Sequence, residues 1–216
     1  MKVLGEDPDS RAVRRLQGQI RRAPRTRALL DGSAANPCGS YTKWQGGHWV
    51  LAALADLGYP AGDAGLVPLR DQTLRTWLAP RYLRDVVPAQ SADGRAADAV
   101  PVVAGRHRRC GSQQGNALLS IAVLGLDDGR GAQLVERLLH WQWPDGGWNC
   151  DKSPDATSSS VHETVLPMRG LAAYAREHHH LARTVGVGGQ LLQGVTAPRR
   201  VSPSITSTGV ASTGTG

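Results

Sequence analysis

The stretch from Ala117 to Trp148, ALLSIAVLGLDDGRGAQLVERLLHWQWPDGGW, holds two unlike segments and a punctuated end. Ala117 to Leu126 is apolar except for Ser120, and Gly125 with Asp127-Asp128-Gly129 stops it. An element apolar on every side is a buried helix or a buried strand. Leu134, Val135, Leu138 and Leu139 follow at helical spacing, with Gln133, Glu136, Arg137 and His140 opposite. That second segment is an amphipathic helix lying over the first.

The same pair recurs on both sides. Upstream, Trp49 to Leu57 is apolar except Asp56 and ends at Gly58-Tyr59-Pro60; Ala52, Ala53 and Ala55 favour helix over strand. Leu66, Leu69, Leu74, Trp77 and Leu78 then mark an amphipathic helix ended by Pro80. Downstream, a third cycle runs from Val161 through Leu166, Met168, Leu171 and Tyr174, with Pro167 expected to kink it. Residues 31–40 have loop composition, residues 80–109 are broken by Pro, Arg and Gly, and Ser91 to Arg95 suit a surface turn. Alternating buried and amphipathic helices predict an all-α fold with one ring of helices inside and one outside.

The 216 residues carry a formal net charge of +7, are 40% hydrophobic, and include six Trp and no Phe. This excludes a collagen, a coiled coil, a mini-protein and a membrane channel; no run approaches the ~20 apolar residues of a membrane span. Three widely spaced cysteines (Cys38, Cys110, Cys150) argue against a disulfide framework. With a polar first ten residues and no apolar signal core, a cytoplasmic location is expected. Residues 1–30 hold eight basic against three acidic residues. No aromatic residue sits among these arginines to stack on bases, so they suit a solvated, partly helical leader better than a nucleic-acid arm. From Thr184 to Gly216 there is no acidic residue, and Ser, Thr and Gly dominate the end; disorder is expected there. The chain thus divides into a basic leader (1–30), a helical repeat domain (31–183) and a tail (184–216).

The most specific words are Trp141-Gln142-Trp143-Pro144-Asp145-Gly146-Gly147-Trp148 and a degenerate copy, Trp44-Gln45-Gly46-Gly47-His48-Trp49. Pro144-Asp145 starts a turn that Gly146-Gly147 completes, Gln142 is expected to bond a helix terminus, and Trp148 to pack on the helix pair. The motif resembles the QW-type repeat of squalene and oxidosqualene cyclases, with relatives in protein prenyltransferase β subunits. The resemblance implies an α/α-toroid, here incomplete with about three inner/outer helix pairs, and an isoprenoid or other apolar ligand in a central pocket. It also implies acid or zinc motifs that are missing. There is no Asp-x-Asp-Asp, Asp127-Asp128 suiting a turn instead, and no Asp-x-Cys. Cys150, Asp155 and His162 lack the spacing of a zinc set, so no metal or cofactor is assigned.

Polar residues precede or open each buried helix: Lys43 and His48; Arg109, Cys110, Gln113, Gln114 and Asn116; His162 and Glu163. If the inner helices run parallel, these groups share one end and ring a pocket mouth, where helix dipoles favour an anion such as a pyrophosphate. On this reading His162 and Glu163 are the acid/base candidates, and His48, Trp49, Arg109, Gln113, Gln114, Asn116 and Trp148 bind ligand. The competing reading is helix capping, with Ser112 and Gln113 at one start and a Ser160–Glu163 capping box at the other. Function stays open between an isoprenoid-handling protein and a non-catalytic scaffold for a protein or lipid partner. A second copy is expected to cover the apolar edges left by so few helix pairs.

Overall fold

Seven α-helices and three short strands build the structure, a computed structural model that describes residue 7 and residues 10–35, 38–87 and 99–178. In chain order they are α1 (Arg11–Arg22), α2 (Pro24–Ala35), α3 (Gly47–Asp56), α4 (Val67–Trp77), β1 (Asp85–Val86), β2 (Val100–Val103), β3 (Arg106–His107), α5 (Gly111–Val123), α6 (Gly131–His140) and α7 (Val161–Glu177). The chain is mostly helical, and the alternation seen in the sequence maps onto α3/α4 and α5/α6, with α7 opening a third cycle.

Helices α3, α5 and α7 run parallel. At one end His48 of α3 meets Asn116 of α5, and at the other the Gly62 N–H donates to the Leu124 carbonyl, 2.8 Å, just past both helices. Along α5 and α7 the Ser112 N–H donates to Glu163, Gly115 lies on Pro167, and Gly170 lies on Gly115 and Leu119. Leu119, Ala122 and Ala173 close the far end of that seam. The amphipathic helices run the other way: Trp77, ending α4, bonds His48 at the start of α3, and Gly131, starting α6, touches Tyr174 near the end of α7. Leu51, Leu54, Leu74, Leu118, Ile121, Leu124, Leu134, Leu138 and Leu171 form the shared core, each at most 1% exposed. Helix α5 is buried on nearly all sides because α3, α4, α6 and α7 surround it.

Four expectations need correction. The fold is not purely helical: β2 pairs parallel with β1 and antiparallel with β3, in the register Asp85↔Val100 and Val102↔His107. Val100, Val102 and Val103 suit a pleated strand, and Ala104 and Gly105, both at positive φ (50° and 69°), make the two-residue turn whose twist matches a hairpin. Residues 31–35 continue α2 instead of looping; the leader, expected to be partly helical, holds α1 and the start of α2. Helix α5 starts at Gly111, so Gln113, Gln114 and Asn116 lie inside it. Helix α7, expected to be buried on every side, buries one face only, through Pro167, Gly170, Leu171 and Ala173, with Pro167 against Gly115.

On α7, Val161 (78% exposed), Val165 and Met168 stay uncovered. No helix among the described residues is long and apolar enough to cross a membrane. The turn expected at 91–95 and the tail from 184 lie outside the described residues.

Candidate functional site at the shared helix starts

The motif after α6 sets the floor of this end. The Trp143 N–H donates to the Gly147 carbonyl and the Gly146 N–H to that of Trp143, with Gly146 at φ 92°, so the turn forms as its residues dictate. Gln142 donates to the Gly146 carbonyl at 2.8 Å; it closes its own turn and does not reach a helix terminus. Trp148, 1% exposed, donates its indole N–H to the Leu138 carbonyl at 2.8 Å. It slides under the start of α5, where a Cβ on Gly111 would stand 2.8 Å from its ring. Trp141 and Trp143 are buried as well, whereas Trp44 is 67% exposed.

Most of the residues expected at the pocket mouth do come together. Trp77 donates to Nδ1 of His48 at 3.1 Å, which places the neutral ring's proton on Nε2, 3.4 Å from the Asn116 amide; that N–H is accepted only when the amide turns its oxygen to it. Burial depresses the His48 pKa to about 4, so the ring is neutral at pH 7. The Trp49 ring meets His48 edge-on and lies tilted against Tyr41. Arg109 lies over Tyr82, 4.2 Å from the ring centre, and donates to Gln113 at 2.8 Å. Gln114, fully buried, bridges Arg109 and the Cys110 carbonyl at 3.1 Å each when its amide is turned to suit them.

The acid/base pair does not assemble. His162 is exposed at the start of α7, while Glu163 points inward. The capping box does not form either: Ser160 makes no side-chain cap, and Glu163 accepts the Ser112 N–H of α5 at 3.0 Å, capping its neighbour instead of its own helix. Asp127 and Asp128 behave as turn residues. Asp127 accepts the N–H groups of Gly129 and Gly131, and hydrogen bonds from Arg130 hold the Asp128 carboxyl down to about 2, far below what a general acid requires.

Two features were not assembled by sequence reading. Cys110, Cys150 and Glu163 place their sulfurs and carboxylate oxygen within 4.8 Å of one another, each half-buried. The Cys150 thiol lies 3.5 Å from Glu163, and burial, reinforced by Cys110 and Glu163, pushes its pKa up. Asp155 and His162, the partners considered for Cys150, take no part; both are exposed. These thiols border a cavity of about 460 Å³ that Arg81, Tyr82, Arg108, Arg109 and Lys152 also line. Arg108 is 2% exposed, donates to the carbonyls of Ala156 and Val103, and stacks on Trp143 at 4.6 Å. Its guanidinium has carbonyl partners and no carboxylate bonded to it among the described residues, and the Nε groups of Arg108 and Arg109 lack acceptors. Four cationic side chains converging on one cavity favour an anion there. A second, larger cavity of about 760 Å³ lies between α1–α2 and α4 and mixes Arg21, Arg27 and Arg75 with Asp31 and Asp63. The one signal in the sequence for the thiol cluster was that Cys110 stands at a buried-helix start and Cys150 directly follows a repeat motif.

No protein-family model matches the chain, and no curated protein or solved structure matches it.

Proposed function

We propose that the chain is a cyclase- and prenyltransferase-like helical repeat protein whose working site is the common N-terminal end of α3, α5 and α7. There Cys110, Cys150 and Glu163 hold a thiophilic divalent metal ion beside a basic pocket that takes the anionic head of an isoprenoid-type ligand. The observation that carries this reading is the convergence of two thiols and a carboxylate, with both thiols on the wall of a cavity lined by Arg81, Arg108, Arg109 and Lys152. Two cysteines and one carboxylate are ligands zinc accepts, and three protein ligands leave a fourth position for a water or substrate. A bound metal would supply Lewis acidity and lower the pKa of the thiols it holds. The protein's own part is positional: the α5 start, the motif loop and the first turn of α7 each deliver one ligand, and the arginines neutralise the anion. Three parallel helices, of which α3 and α5 are buried and each sheathed by an antiparallel partner, support the toroid-like part of the reading. A helical scaffold for a partner is the second reading, favoured by the uncovered Val161, Val165 and Met168.

The test measures zinc in the full chain purified under reducing conditions, and binding of an isoprenoid pyrophosphate by calorimetry. C110S/C150S should lose about one equivalent of metal. R81A/K152A should weaken pyrophosphate binding at least tenfold while leaving the metal in place. Unchanged zinc in C110S/C150S removes the metal site, and unchanged binding in R81A/K152A removes the anion pocket.

A further inference from the structure

A second constellation lies on other elements and contains no thiol. Asp85 in β1, His107 in β3 and His140, the last residue of α6, converge on one point. Oδ2 of Asp85 accepts from Nε2 of His107 at 3.0 Å and from Nε2 of His140 at 2.8 Å. The two imidazole rings stand 4.5 Å apart, tilted by 54°. The three donor atoms lie within 4.8 Å of one another.

We infer that Asp85, His107 and His140 form a divalent-metal site of the zinc class, distinct from the cysteine cluster. Tetrahedral zinc with bonds of about 2.0–2.1 Å has ligand-to-ligand edges of about 3.3 Å. The two Asp85–histidine separations are a few tenths of an ångström from that edge, and the two imidazole nitrogens lie within 4.8 Å of each other, so rotations about side-chain bonds that bring the nitrogens to the same edge would seat the ion. Two imidazoles and a carboxylate are a donor set zinc takes in sites that keep an open fourth position. The openness is present: the side chains of Asp85 and His140 are 38% and 48% exposed. The backbone beneath is fixed. The β1–β2–β3 register sets Asp85 and His107, and the Trp143 indole N–H holds the His107 carbonyl at 2.8 Å. An ion here ties the small sheet to the end of α6, directly before the Trp141–Trp148 motif.

The inference does not rest on the proposed function, and the two are separable by ligand chemistry. Cobalt bound by thiolates gives an intense sulfur-to-metal charge-transfer band, whereas cobalt on imidazole and carboxylate gives only weak ligand-field bands. Equilibrium dialysis against zinc, with cobalt spectra in parallel, is run on the wild-type chain, C110S/C150S and H107Q/H140Q. Glutamine still donates a hydrogen bond to Asp85 but is a poor metal ligand, and circular dichroism checks each fold. H107Q/H140Q is expected to bind one equivalent less zinc than wild type while keeping any charge-transfer band. D85N is expected to weaken the same equivalent at least tenfold. Zinc stoichiometry and affinity unchanged in H107Q/H140Q would overturn the site, leaving the cluster as a hydrogen-bonded clamp between sheet and helix.

Discussion

His48 shows what burial does to a single titratable group. It is 2% exposed, ringed by Tyr41, Trp49 and Trp77, and its pKa is depressed to about 4 by loss of hydration. In the unfolded chain the same imidazole takes a proton near 6.5. The unfolded state therefore binds the extra proton between these values. The contribution is fully present above about pH 6.5 and is lost as pH falls towards about 4, on the order of 3 kcal/mol in all. Carboxylates such as Asp128, held down to about 2, act in a lower window. Urea unfolding at pH 7, 5.5 and 4.5 should thus show a falling stability that H48Q flattens; an equal slope in H48Q would remove His48 as its cause. Residue identity made His48 legible as a polar group at a helix start, but not its partner, because Trp77 arrives from the next helix. Glu163 teaches the same lesson. Its spacing from Ser160 spelled a local cap, and the carboxylate instead satisfies Ser112 on α5, a choice visible only once two helices are side by side. Glu163→Ala should cost about 1 kcal/mol, the typical worth of a cap, even in metal-free protein, where thermal unfolding can be read without ligand effects.

At the scale of elements, the α5–α7 seam depends on two glycines. A Cβ on Gly115 would run into the backbone of Pro167, and one on Gly170 into the Gly115 carbonyl. Because the obstacles are backbone atoms, neither contact can be relieved by a rotamer change. Gly115→Ala and Gly170→Ala should each destabilise by about 1–3 kcal/mol or more, despite alanine's higher helix propensity. Val165→Lys on the open face of the same helix should stay within about 0.5 kcal/mol. Denaturant midpoints for the three variants compare these directly; a stable Gly115→Ala would mean that the helices are not in backbone contact. A continuous apolar run marked α3, and hydrophobic periodicity marked α4 and α6 because their apolar residues define their faces. It missed the first turn of α5, whose Gln113, Gln114 and Asn116 are polar yet part-buried or fully buried beside arginine and histidine. It also missed the sheet, because strands of two to four residues are too short to show alternation.

The whole molecule divides by how much each part buries. Helices α3 to α7 share one core, and α5 at its centre touches four of the others. Helix α1 buries only Val13 deeply, sets Ile20 against the core edge, and is tied across by the Arg21–Asp63 pair, whose arginine is 58% exposed. An exposed ion pair contributes at most about 1 kcal/mol, so α1 belongs to the low end of the local stability range. This also explains why the sites were less legible than the core. Apolar residues announce a shared interior by composition, whereas Cys110 with Cys150, or Asp85 with His140, become neighbours only after helices and sheet are docked. The last expectation follows from the uneven burial. Among the trypsin sites of the described residues, those from Arg11 to Arg27 should be cut before Arg137 and Arg169, as read by mass spectrometry over time. Early cuts at Arg137 or Arg169 would show instead that the α5–α7 seam opens before the leader does, and that the glycine contacts do not hold the core together.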